Sequence, residues 1–313
     1  MIHIPLLAAA LLLQAPRFDT DTTVSVPQGA RLRIHNQGGD ITIRTWERGQ
    51  VRIQASHSSR SYVDVDLRGQ VMELNSRGRR GTPSMVDYVV TVPGWMAVDL
   101  GGMYAEISID GLRAPIKAQT LEGNIKVRGG TESVNLSTVN GTIDVAGARG
   151  RIELHSVAED IHARDIQGEL VAESVSGNLY LGRIDARSVE AQTVSGDIEF
   201  EGRLADAGTY SFVTHSGDVD LGIPENSNVT IKVATASGDV SSSFSLRPER
   251  ETRRRQTYRM GNGSANLDIE TFSGDVGLLR QSEVRPRSPE PEQRSSRSRR
   301  DRSEREPDRY EEN

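Results

Sequence analysis

Hydroxyl side chains recur eight times at one position of this 313-residue chain: Thr120, Thr138, Ser156, Ser174, Thr193, Thr214, Thr235 and Thr271. Such a row has the chemistry of a sugar-reading track. It is also what turns need, because Ser and Thr satisfy nearby backbone groups. The turn requirement accounts for a hydroxyl in every copy and is the reading adopted. Four residues after each hydroxyl comes Asn124, Thr142, Asp160, Asn178, Asp197, Asp218, Asp239 or Asp275. Stacked at roughly 5 Å, the carboxylates would repel one another mildly in water, and Ca²⁺ would relieve that. The calcium-binding nonapeptide carries a denser Gly-Gly-x-Gly-x-Asp pattern, which this chain lacks. Asp and Asn beside Gly are ordinary turn residues, so no metal site is assigned.

Catalytic constellations are sparse. His155 and His162 flank one turn without a third ligand at a sensible spacing. Glu159 and Asp160 form an acid pair where the other copies have Gly followed by Asp, Asn or Thr, and a drifted repeat explains it. Either that turn takes another shape or Glu159 is strained at positive φ. There is no serine elbow, no glycine-rich phosphate loop and no cysteine nucleophile. A polysaccharide lyase or hydrolase on a β-helix is the enzymatic rival. Such enzymes wall a cleft with long loops, and residues 105–240 have almost none. Aromatic residues for sugar stacking are only 4% of the chain. No catalytic residue, cofactor or metal ligand is assigned, and the chain is read as a non-enzyme.

The elements that carry these residues repeat with them. Each copy reads aliphatic-x-aliphatic-x-Ser/Thr-x-x-Gly-Asp/Asn-aliphatic-x-aliphatic. The turn positions Gly123, Gly141, Glu159, Gly177, Gly196, Gly217, Gly238 and Gly274 are spaced 18, 18, 18, 19, 21, 21 and 36 residues apart. A degenerate copy centres on Ala105. Period-two alternation on both sides of a Gly-Asp turn marks half-buried strands joined by tight turns. A two-strand unit this short cannot close a core alone, so it must stack on its neighbours. The expected fold is all-β: a β-solenoid, β-helix- or β-roll-like, of about 18–21-residue two-strand coils. Roughly nine coils would make a rod on the order of 45 Å long. An antiparallel β-sandwich is the competing architecture.

Four segments follow. Residues 1–15 hold an apolar run of signal-peptide length, too short to span a bilayer, although no Lys or Arg precedes it and Pro16 crowds the cut site. Residues 16–95 carry less regular alternation and are expected to form an N-terminal antiparallel β cap over the first coil. Residues 96–280 are the repeat domain, with a basic insertion at 243–262 that includes Arg247, Arg250, Arg253, Arg254 and Arg255. Residues 281–313 are expected to be a disordered tail. From Glu283 onward nine Arg and nine acidic residues alternate with Ser and Pro, too polar to offset chain entropy by burial. With no cysteine there is neither a disulfide framework nor a lipid-modified residue, and no further segment is apolar enough to cross a membrane. The net charge of −6 disfavours nucleic acid as a partner.

The turns Thr193-Val-Ser-Gly-Asp-Ile198 and Thr271-Phe-Ser-Gly-Asp-Val276, with Val92-Pro93 at the crossover, resemble the bacterial DUF4097 family, labelled putative adhesin. The resemblance covers about residues 20–280. It implies a β-solenoid-like domain in an envelope or secreted protein and brings no catalytic residues to carry over. The expectation is therefore an exported chain, secreted or held in the periplasm and cell envelope. It would offer a binding, adhesin-like or scaffold surface to an unidentified envelope polysaccharide or protein. A carbohydrate-active enzyme and an accessory of envelope-stress signalling are the alternatives.

Overall fold

The computed structural model describes residues 18–78, 85–246, 248–251 and 255–284. The expected signal segment 1–15, most of the tail and part of the basic insertion lie outside the described residues. Among the described residues there are twenty-five strands and no helix. The first seven are β1 (Thr20–Ser25), β2 (Arg31–Gly38), β3 (Ile41–Trp46), β4 (Gln50–Ser56), β5 (Ser61–Arg68), β6 (Val71–Gly78) and β7 (Asp87–Pro93). Next come β8 (Ala97–Tyr104), β9 (Ile107–Leu112), β10 (Ile116–Glu122), β11 (Ile125–Gly129), β12 (Ser133–Asn140), β13 (Ile143–Ala146), β14 (Arg149–His155), β15 (Ile161–Arg164) and β16 (Gln167–Glu173). The chain then forms β17 (Leu179–Ser195), β18 (Ile198–Ser216), β19 (Val219–Ile223), β20 (Val229–Ser237), β21 (Val240–Ser242), β22 (Pro248–Glu251), β23 (Arg255–Met260), β24 (Ala265–Ser273) and β25 (Val276–Arg280).

All belong to one continuous sheet that folds over on itself into two facing ladders. Each repeat supplies a rung: one strand to the first ladder, the Gly turn, then one strand to the second. In the first ladder Met72, Leu32, Val98, Ile116, Val134, Ile152, Leu170, Val189, Tyr210, Leu267 and Ile231 are successive parallel partners. In the second, Val90, Ile43, Ile109, Val127, Val145, Ala163, Leu181, Phe200, Leu221 and Leu278 form the facing column. All these side chains are buried. The alternation read in the sequence thus points one set of residues inward from both ladders, giving a narrow core without a helix to cover it. Tyr210 and Phe212 pack around Phe200, with ring centroids 6.5 and 5.0 Å away.

The order of rungs departs from the order of the chain at both ends. Sequence spacing suggests that the rung of Tyr210 pairs with the one beginning near Ile231, 21 residues on. Instead β18 and β19 pair with β24 and β25, and β20 and β21 lie beyond them. The chain leaves one rung vacant, builds the outer one, and runs back through β22 and β23. It then fills the gap with its last two strands. The same device operates at the other end, where β2 and β3 lie between β8–β9 and the outermost β6–β7. Antiparallel strands occupy the outer edges there: β5 on β6, and β4 then β1 on β7. At the opposite end β23 pairs antiparallel with β20. The antiparallel strands cover the ends of the parallel ladders with short strands of opposite direction, one of the devices that blunt sheet edges.

Candidate binding surface along the turns

The hydroxyl position is buried in seven of its eight copies. Its bonds run between rungs. Thr138, Ser156, Thr193, Thr214 and Thr271 donate to the carbonyls of Gly123, Gly141, Gly177, Gly196 and Gly217 at 3.0–3.4 Å, each the turn glycine of the preceding rung in the stack. Thr120 donates to Glu122 O at 3.2 Å, and Ser174 accepts from Gly177 N at 3.0 Å. Seven of the eight hydroxyls therefore bond to backbone, as expected of turn residues, but mostly across rungs; the Thr235 hydroxyl has no partner.

The Asx column behaves likewise. The side-chain oxygens of Asn124, Asp160, Asn178, Asp197, Asp218 and Asp275 accept the backbone N–H of Thr142, Asn178, Asp197, Asp218, Asp275 and Asp239 at 2.8–2.9 Å. An N–H aimed at the carboxylates of Asp160, Asp197, Asp218 and Asp275 offsets the repulsion that a cation would otherwise relieve. Among the described residues no group of three or more His, Asp or Glu is placed to hold a metal ion. The column reaches an N-terminal member that sequence reading missed: Asp87 Oδ1 accepts Asp40 N at 3.0 Å. Burial first, and then the neighbouring Asp87 charge, push the Asp40 carboxyl above its ordinary value.

The turn glycines are needed for room. A Cβ on Gly217, at φ +155°, would overlap Gly196 O, and one on Gly274, at φ +154°, would overlap Gly217 O. Glu159 escapes this by reshaping its turn. Among the described residues the non-glycines at positive φ are Glu132, Asp165, Arg183 and Ala207, and Glu159 is not one of them. Strands β14 and β16 stop at His155 and Glu173, and Ala158 N and Ser176 N bond back to Val139 O and Val157 O. The altered shape, not strain at positive φ, is therefore the outcome for Glu159. His155 and His162 do not converge. His155 Nδ1 lies 3.1 Å from Glu173 Oε2 on the first ladder. His162 stacks on Tyr180 at 4.8 Å on the second, and burial lowers its pKa.

Beside their polar residues the turns present a row of mostly apolar side chains to solvent. The residue after each hydroxyl, and Met103 at the same position of the degenerate first copy, is turned outward by the alternation. In stack order these are Met103, Leu121, Val139, Val157, Val175, Val194, His215, Phe272 and Ala236. Val194 and Phe272 are 49% and 58% exposed. Successive members stand about 4.8 Å apart, so the ridge is continuous over most of the stack. At its C-terminal end it drops into an open groove of about 770 Å³, where the His215 and Phe272 rings stack at 4.9 Å and 11°. Glu173 and Glu270 flank this groove, the first beside His155 and the second held by Arg255 at 2.7 Å. Sequence reading missed the ridge, although its signal was visible: a hydrophobe at an outward position in copy after copy.

No helix among the described residues is long and apolar enough to cross a membrane. No curated protein matches the chain. A putative adhesin from Bacteroides fragilis has a solved structure 13% identical to this chain, covering 83% of it and 96% of its own length, with a TM-score of 0.39. A putative adhesin from Parabacteroides merdae gives 12% identity over the same shares of the two chains, with a TM-score of 0.35. A putative cell adhesion protein from Clostridium sporogenes reaches 11% identity over 83% of this chain and all of its own, at a TM-score of 0.23. Overlays this loose carry no argument. The family model described as Toastrack DUF4097 matches residues 12–279, most of the repeat-bearing chain, and the protein belongs to that family.

Proposed function

We propose that this protein is an exported, non-enzymatic β-solenoid whose turn side serves as a binding surface in the cell envelope. In this reading residues 1–15 direct export, residues 16–95 close one end of a stack of 18–21-residue coils, and residues 96–280 provide its length. The observation that carries the proposal is the ridge. Scattered exposed hydrophobes are normal on any protein, whereas a contiguous apolar strip marks an interaction site. Here the strip ends in a groove with a stacked His215–Phe272 pair. Thr193, Thr214 and Thr271 beside the groove already donate to backbone, and Glu270 is engaged by Arg255. Both features favour contact with a partner over bond-breaking chemistry.

The test is capture of envelope protein and polysaccharide fractions by the purified chain from residue 16 onward. The comparison is with a Val194→Asp/Phe272→Ser variant. We expect retention by the parent chain, loss in the variant at unchanged circular dichroism, and no degradation of retained polysaccharide. Equal retention by both chains would remove the ridge from the reading. Depolymerisation would overturn the non-enzymatic assignment.

A further inference from the structure

The His215–Phe272 stack stops one rung short of the end of its ladder. Thr214 and Ser216 are the parallel partners of Thr271 and Ser273, and these are the partners of Thr235 and Ser237. His215, Phe272 and Ala236 therefore hold one position on three successive rungs. The two rings are within 11° of parallel, with centroids 4.9 Å apart, about the separation of the rungs themselves. Rings stacked from rung to rung face along the stack axis, so the second face of Phe272 looks over the outermost rung. There the chain places only the methyl group of Ala236. Phe272 is 58% exposed, and the space beside it belongs to the groove of about 770 Å³, where Val213, Ala234 and Ala236 add apolar lining.

The polar groups around that space are rich in acceptors. The residue before each hydroxyl also turns outward, and along the groove it is, in stack order, Glu173, Gln192, Val213, Glu270 and Ala234. Gln192 donates to Glu190 at 2.6 Å and keeps its amide oxygen as an acceptor. Glu173 and Glu270 bring carboxylates with more acceptor positions than their contacts with His155 and Arg255 use. Glu270 precedes Phe272 by two residues on the same strand, so the two side chains start about 6–7 Å apart on one face.

We propose that the slot over Ala236 is the anchor point of the ridge and takes an aromatic side chain, tryptophan above all, of a protein partner. This rests on the ridge being the binding surface and names what it binds. Three features select the occupant. A flat ring continues a column of parallel rings, as aromatic side chains stack at this separation. A donor on the edge of that ring meets the acceptors beside the slot, and indole has an N–H and no acceptor. The aliphatic ridge leading to the slot gives the rest of a protein partner apolar contact, whereas a sugar would bury hydroxyls against it. A tryptophan seated in such a pocket is the kind of residue that carries most of the energy of a protein interface.

The test adds N-acetyl-tryptophanamide to the full-length chain with methyl-labelled alanine and follows the methyl signals by NMR. We expect a saturable upfield shift at Ala236, none at the buried Ala118 and Ala163, and at least threefold weaker binding of N-acetyl-phenylalaninamide. Ala236→Phe puts a ring of the chain's own into the slot while keeping the ridge apolar, and Phe272→Ala removes the platform. Each should abolish the shift, read in the variants at the Ser237 amide. No shift at Ala236, or a shift that survives Ala236→Phe, would overturn the proposal. So would a larger shift with methyl β-D-glucopyranoside, which would make the slot a sugar site. The ridge reading is tested apart from this one: if no aromatic probe binds but Val194→Asp alone abolishes capture of an envelope component, the slot assignment falls and the ridge stands.

Discussion

Replacing Thr214 by valine separates the two readings of the hydroxyl row. The side chain is 2% exposed, and its Oγ1 donates to Gly196 O at 3.1 Å. Valine keeps the shape, removes the donor and leaves a turn carbonyl short of a partner. A net cost of about 1–2 kcal/mol follows from one lost bond plus the unsatisfied oxygen. For a folded unit of this size that is about 2–8 °C in Tm. Thr235 supplies the control within the same molecule, because its buried Oγ1 has no hydrogen-bond partner. Thr235→Val should therefore leave Tm unchanged or raise it slightly, and Thr214→Ser should recover most of the loss. The assay is thermal and urea denaturation of the three variants beside the parent chain. Equal midpoints for Thr214→Val and Thr235→Val would refute the bonding argument. Loss of polysaccharide binding at unchanged stability would return the row to the sugar-track reading.

Three further outcomes are expected. Gly274→Ala forces a methyl onto Gly217 O between two rungs; it should cost more than about 2 kcal/mol or abolish soluble expression, and an unchanged urea midpoint would contradict the close approach. Burial lowers the pKa of His162 from 6.5, so the unfolded chain binds a proton more readily than the folded one. Stability should therefore fall as pH drops through 6.5 and level off below the folded value; His162→Phe should flatten that part of the Tm–pH curve. Because Asp160, Asp197, Asp218 and Asp275 in the column each accept a backbone N–H, adding calcium or a chelator should leave Tm within error of the untreated chain. A chelator-sensitive melt would make the column a metal site.

The repeat was legible because each strand of a rung is specified locally, by alternating residues around a turn. Ile116-x-Ala118 and Ile125-x-Val127 announce which side faces inward without reference to anything distant. The order of the rungs was not legible. Tyr210 lies 21 residues after Val189 and 21 before Ile231, yet it pairs in parallel with Val189 and not with Ile231. Backbone pairing does not distinguish one aliphatic strand from another, so neighbours were set by how the chain travels through β22 and β23. The doubled spacing before Gly274 was the one outward sign. Bonds between rungs were hidden for the same reason: the acceptor for Asp275 N is Asp218, 57 residues away. The ridge escaped notice because Leu121 and Val194 are also good strand formers. At those positions they read as propensity, although their outward direction gives them another use.

The out-of-order end rungs also govern how the molecule would bear load. In a stack built strictly in sequence, a pull on either end of the chain lifts away the outermost rung, and the rest peels one rung at a time. Here the last two strands, β24 and β25, are wedged between β18–β19 and β20–β21. After the edge strand β1, the next strand from the other end, β2, is held between β6 and β8. Tension on the C-terminal segment must drag an interior rung out from between two bonded neighbours, breaking its backbone bonds on both sides together. A chain threaded in this way is anchored against traction like a laced seam whose free ends are tucked beneath an earlier stitch.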